Sequence, residues 1–255
     1  MDFNLFIVSI VVSAAAALLG VFIILRRLAL VSDVLSHVAL PGMALALLWG
    51  IQPFVGAFTA LFIAIAGIFF MERKFAFSIE TLVGIIFTAA MGIGIVLIPE
   101  ESLIESLFGN ISNIGPHEAL FTAIIGSALI ALTVIFFTKF ARATFSQELA
   151  KGSGVPQGKT EFMFLTAVAL AIALGIKVVG TLLMGALIIV PAVTAKNIAW
   201  SLKSMTFFSV MLGVVVFLGG VSLANAFDVV PGAAVILVGG VLFALSLVLK
   251  AFRIR

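Results

Sequence analysis

Long apolar runs, broken by short polar clusters, set the pattern of this chain. Nine runs approach the roughly 20 residues that a helix needs to cross a bilayer. They are Leu5–Leu25, Val34–Gly50, Phe54–Met71, Thr81–Ile98, Ala119–Thr138, Phe162–Ile176, Val179–Ala195, Met205–Leu223 and Val230–Leu249. The pattern predicts an all-α integral membrane protein, a polytopic bundle of about nine transmembrane helices, with eight as the alternative count. Phe162–Ile176 and Val179–Ala195 are short for full spans, which predicts a tight hairpin or partly re-entrant pieces. The first run is longer than the apolar core of a signal peptide and leads into further apolar runs, so it reads as a retained span.

The polar clusters orient the bundle. With the N-terminus outside, all fourteen Lys and Arg residues except Lys177 fall on one side, together with the C-terminus. That asymmetry marks the cytoplasmic side. The outer side carries Asp2, Glu100, Glu101, Glu105, Glu118 and Asp228. Such an acidic rim suits attraction of a cation or docking of a partner that delivers one; acidic residues are also simply free to sit there. Two connections exceed ordinary length, an external loop at 99–117 and a cytoplasmic loop at 139–161. Residues 1–255 are expected to form a single transmembrane domain.

Composition narrows the function. The chain has 255 residues, 64% of them hydrophobic and 10% charged, with a mean hydropathy of +1.38. A soluble domain carries roughly 45–50% apolar and about 25% charged residues. No stretch is left for a soluble catalytic domain. The absence of Cys excludes disulfides, iron–sulfur clusters and thiolate zinc sites. No HExxH or Gly-x-Ser-x-Gly motif is present, which argues against an intramembrane hydrolase. Ser153–Thr160 nearly spells a phosphate-binding loop, but Ser153 stands where its first Gly must be and no strand precedes it. Neither nucleotide binding nor nucleic-acid binding is expected of this chain.

Candidate chemistry concentrates in Arg26–Leu47. Asp33 and His37 are spaced i,i+4, which puts both on one helical face. A carboxylate oxygen and an imidazole nitrogen there suit a divalent cation such as Zn²⁺ or Mn²⁺. Ser32 and Asp33 are equally good N-caps for a helix starting near Val34. His37 lies one turn deeper, where a polar group usually faces a cavity or partner. Pro41 and Gly42 are expected to interrupt the helix, as in the broken helices that line transport sites. Asp228 reads as an N-terminal charge of the last helix, with Pro231 in its first turn, or as part of an external metal entrance. His117, beside Glu118, is a second entrance candidate against a plain solvated pair. Phe145–Val155, with Glu148, Ala150 and Gly152, suits a short amphipathic helix that docks on a cytoplasmic partner, or a solvated turn.

Five segments carry a resemblance. Arg26–Ala46, RRLALVSDVLSHVALPGMALA, resembles the signature segment of the zinc/manganese class of ABC importer permeases. Val179–Ala199, VGTLLMGALIIVPAVTAKNIA, with Pro191 in its helix, resembles that family's second signature. Glu148–Gly152 lies where the family has its ATPase-docking coupling helix. Leu107–Asn110 and Asp228–Gly232 are similar to an external-loop element and the last-span entrance. The resemblance implies a multi-pass cell-membrane subunit, in a prokaryotic inner or plasma membrane, that binds no cofactor of its own. It implies two permease copies around one path, two cytoplasmic ATP-binding cassette subunits, and an extracellular or periplasmic protein that delivers Zn²⁺ or Mn²⁺. The family's intramembrane metal contacts fall on Asp33 and His37. From the residues alone, an ATP-independent secondary metal transporter or channel is the alternative, and it would not need the internal loop.

Overall fold

In the structure, a computed structural model, residues 3–75, 77–97, 109, 114–145 and 157–253 are described. Their helices are α1 (Phe3–Leu25), α2 (Ala29–Leu48), α3 (Pro53–Phe75), α4 (Ile79–Leu97), α5 (Pro116–Ile135), α6 (Phe137–Phe145), α7 (Gln157–Ile198), α8 (Leu202–Phe227) and α9 (Pro231–Arg253). No strand occurs among the described residues. Helix α7 is broken at Gly180 (φ 76°, ψ 171°) into two arms, Gly158–Ile176 and Val178–Ile198. Counting the arms separately, and leaving out the short α6, nine described segments are long and apolar enough to cross a membrane. The count matches the apolar pattern.

Packing shows why two runs are short. Helix α1 is largely buried and stands at the centre. Along it, Val12 meets Gly175 of the first arm of α7, and Gly20 meets the Ile188 carbonyl of the second arm. Met184 also lies against Gly175. Nine residues of straight helix would separate those two by about 13 Å, so α7 folds back on itself. Its turn sits level with Val12, part-way down α1, rather than at the bundle's face. Val178, Val179 and Thr181 in the turn are buried. Gly109 of the long 99–117 connection, itself at φ +74°, rests directly on the Val178–Gly180 backbone.

The basic residues gather at one end. Arg26 stacks on Phe164 at 4.2 Å, and its Nε donates to Thr144 Oγ1 at 3.0 Å. Arg73 packs on Gly158. Lys250 Nζ donates to Asn197 Oδ1 at 3.2 Å, and Asn197 Nδ2 donates to Ser246 Oγ at 3.0 Å. The ends of α1, α3, the second arm of α7 and α9 therefore share a level with the starts of the first arm and α8. Consecutive spans alternate, and the second arm of α7 runs antiparallel to α2.

Local chemistry fixes the turns. Arg27 takes a left-handed φ of 61° after α1, while Leu28 N–H bonds Ile23 O at 2.9 Å and Arg27 N–H bonds Ile24 O at 3.3 Å. This closes α1 by a Schellman motif with a non-glycine residue at C′. Helix α8 opens on a reciprocal Ser201/Ser204 capping box.

Three sequence expectations do not hold. Helix α2 begins at Ala29, five residues before Val34, and Pro41 lies inside it without breaking it. Leu28 is the N-cap residue, and Ser32 Oγ donates backwards to Ala29 O at 2.9 Å, so neither Ser32 nor Asp33 caps the helix. Val31, Ser32, Leu35 and Ser36 are buried in the bundle, which holds this stretch helical where its polar residues suggested an edge. Asp228 does not open α9. It closes α8 in a left-handed conformation (φ 52°, ψ 44°), and α9 starts at Pro231.

Candidate metal site

Asp33 and His37 lie in the second and third turns of α2, on one face and half-buried. Two helices flank them. The second arm of α7 presents Gly185 to Asp33, where a Cβ would overlap the Asp33 carboxylate oxygen and come within 3.1 Å of its Cα. Only glycine lets the two backbones come this close with a carboxylate between them. From α4, Phe87 packs edge-on to the His37 ring, with centroids 5.8 Å apart and an interplanar angle of 68°. His37 Nδ1 is buried without a hydrogen-bond partner among the described residues.

Helix α2 contributes in two further ways. Pro41 has no N–H, so the His37 carbonyl lacks the donor that an α-helix supplies four residues on. Gly42 sits against the Gly56 carbonyl of α3, and Gly56 against the Gly42 carbonyl. This reciprocal small-residue crossing is how membrane helices pack closely, and it fixes the face that α2 turns toward α7. An apolar groove of about 670 Å³ between α2, α3 and α4 is lined by Val38, Pro41, Trp49 and Ile63 among others, and takes in neither Asp33 nor His37.

As a candidate, this pair would supply two ligands to a cation within one chain. Among the described residues no group of three or more His, Cys, Asp or Glu side chains comes together. A divalent cation held by one carboxylate oxygen and one imidazole nitrogen keeps its other coordination positions for water or for a partner. That arrangement suits a cargo that must leave, and it is the opposite of a closed structural metal site.

The other candidates lie elsewhere. His117 is exposed in the first turn of α5, and Asp228 is exposed at the end of α8. Both are at the end opposite the basic residues. Pro191 lies buried inside the second arm of α7, two turns beyond Gly185. Glu148, Ala150 and Gly152 fall outside the described residues. Gly185, Phe87 and Thr181 were not singled out by sequence reasoning. The only signal was the i,i+4 spacing of Thr181 and Gly185 on one apolar helix.

Comparisons with known proteins agree with this architecture. The family described as ABC 3 transport family matches residues 2–250. The chain is 32% identical over 251 residues to the high-affinity zinc uptake system membrane protein ZnuB of Haemophilus influenzae, covering 96% of each chain. It is 30% identical over 243 residues to the manganese transport system membrane protein MntC of Halalkalibacterium halodurans, covering 93% of this chain and 83% of that one. Among solved structures, PsaBC from Streptococcus pneumoniae, in complex with Fab, superposes with a TM-score of 0.87 at 32% identity, covering 95% of this chain and 89% of that one.

Proposed function

The chain belongs to the ABC 3 transport family, and we propose that it is the transmembrane permease subunit of an ATP-driven importer of divalent metal ions. The cargo is zinc or manganese, with ferrous iron compatible with the same ligands. The observation that carries this reading is the placement of Asp33 and His37. They share one face of a packed helix, inside the bundle, with a buried imidazole nitrogen that has no partner among the described residues. The chain carries no ATP-hydrolysing machinery; that belongs to separate cytoplasmic subunits.

In this reading two copies of the permease form the path, with the basic end cytoplasmic. A delivering protein docks on the acidic outer rim, where exposed His117 and Asp228 lie near the entrance. The cation exchanges its shell for Asp33 and His37. Closure of the ATPase subunits pushes on the connection between α6 and α7, through Glu148, Ala150 and Gly152, and tilts the spans. Release requires the inward state to bind the cation more weakly than the outward state. A shell with two ligands per chain makes that change easy, because small tilts separate them.

The test is an Asp33→Ala, His37→Ala double variant, reconstituted with its ATPase and delivery partners. Metal uptake is lost while assembly and ATP hydrolysis persist. Normal uptake by this variant would overturn the assignment.

A further inference from the structure

We propose that Thr181 is a positioning residue for His37. Its hydroxyl hydrogen-bonds His37 Nδ1 when cargo is bound, and so holds the imidazole with Nε2 presented beside Asp33. This rests on the reading of Asp33 and His37 as cargo ligands.

Thr181 is fully buried, and its Oγ1 has no hydrogen-bond partner among the described residues. Elsewhere in the bundle, helical threonines satisfy themselves. Thr59, Thr133, Thr166 and Thr194 each donate to the carbonyl four residues back, at 2.7–2.8 Å. Thr181 cannot, because the break at Gly180 stands between it and residue 177. The kink that makes the α7 hairpin therefore frees this hydroxyl. Its neighbours Val178, Val179 and Leu183 are buried and apolar, so their side chains offer it nothing. Burying an unpaired hydroxyl is costly, and valine would fill the same space without that cost.

The register supplies the partner. Gly185 meets Asp33. The second arm of α7 and α2 are antiparallel. One turn back along α7 from Gly185 is Thr181, and one turn forward along α2 from Asp33 is His37. Both steps lead about 6 Å in the same direction, away from the basic end. The two residues so placed carry the two unpaired buried polar atoms of this region, Thr181 Oγ1 and His37 Nδ1. A hydroxyl and an imidazole nitrogen are complementary. Outer-shell hydrogen bonds of this kind fix the tautomer and ring orientation of a metal-binding histidine.

The test uses the permease reconstituted with its ATPase and delivery partners, with Zn²⁺ and Mn²⁺ as probes. Thr181→Val removes only the hydroxyl, and Thr181→Ser keeps it. Thr181→Val is expected to raise the KM for uptake about tenfold, with maximal rate unchanged and thermal stability level or higher, and Thr181→Ser to restore the KM. A wild-type KM in Thr181→Val, or an equal defect in Thr181→Ser, would overturn the proposal. Should Thr181→Val fail to assemble, Thr181→Ala read against Thr181→Ser carries the same comparison. His37→Ala, run in parallel, separates the two ideas. If it transports normally, the site reading itself falls. If it is inactive while Thr181→Val is silent, only the role of Thr181 falls.

Discussion

Gly185 touches Asp33 so closely that one added methyl group would collide with the carboxylate. The contact joins helices separated by about 150 residues and sets where the Asp33 carboxylate stands. Gly185→Ala should push the Asp33 side chain off its position or force α7 away from α2. Misplaced ligands of this kind typically cost 10–100-fold in metal affinity. Uptake kinetics should show the KM raised by about tenfold or more, with the complex still assembled. An unchanged KM would mean that Asp33 does not contact cargo from this position.

Asp33→Asn keeps shape and removes charge. A structural carboxylate would leave its partners unsatisfied when neutralised. A cargo ligand within a span instead carries an insertion penalty of roughly 2.5–3.5 kcal/mol that serves transport rather than folding. Asp33→Asn should therefore abolish uptake while thermal unfolding in detergent stays level or moves to higher temperature. A lowered unfolding temperature together with retained uptake would identify Asp33 as structural.

The apolar runs made the nine spans legible because crossing a bilayer constrains one chain segment at a time. That Asp33 and His37 share one helical face is legible because i,i+4 spacing is also local. The start of α2 is not legible in the sequence because Ser32 and Asp33 look like an edge in one dimension. In three dimensions the bundle surrounds Ser32 and Ser36. The short runs at 162–176 and 179–195 hinted at the hairpin, but not at its depth, which follows from the packing of Val12 on Gly175. Asp228 was misplaced for a related reason: the left-handed turn that ends α8 depends on backbone geometry that Asp only permits. Gly185 and Thr181 stayed hidden because their partners lie on α2, and no periodicity within α7 reports that.

Gly109 at φ +74° rests on Val178 O and Gly180 N, so it has neither the dihedral nor the room for a side chain. Left-handed backbone costs an L-residue about 1–2 kcal/mol, and the clash adds to this. Gly109→Ala should destabilise the protein by about 2 kcal/mol or more, read as a drop in thermal unfolding temperature. Gly92→Ala, inside α4 and facing open space, serves as the control and should leave stability level or raise it by up to about 1 kcal/mol. Equal behaviour of the two variants would show that the contact of Gly109 with the α7 turn does not matter for stability.

Arg26 joins three helices at the basic end. Its guanidinium stacks on Phe164 of α7 at 4.2 Å, and its Nε donates to Thr144 of α6, whose own hydroxyl donates to Phe140 O at 2.7 Å. Phe164 and Phe140 pack in turn on Phe22 of α1. Burial pushes the Arg26 pKa down, and Glu161 opposes that shift. A cation whose folded pKa is lowered gains folding stability only as pH rises through that pKa, and an arginine stays protonated throughout the ordinary pH range. The contribution of Arg26 should therefore be flat between about pH 6 and 9. Arg26→Lys keeps the charge that orients the chain but loses the planar stack and the fork of donors. Its stability should fall by about 1–2 kcal/mol, from a cation–π contact and one hydrogen bond to a charged group. Thermal unfolding of both proteins across that pH range checks both statements. A lysine variant as stable as the native chain would show that charge alone, rather than the stacked guanidinium, holds α6 to the bundle.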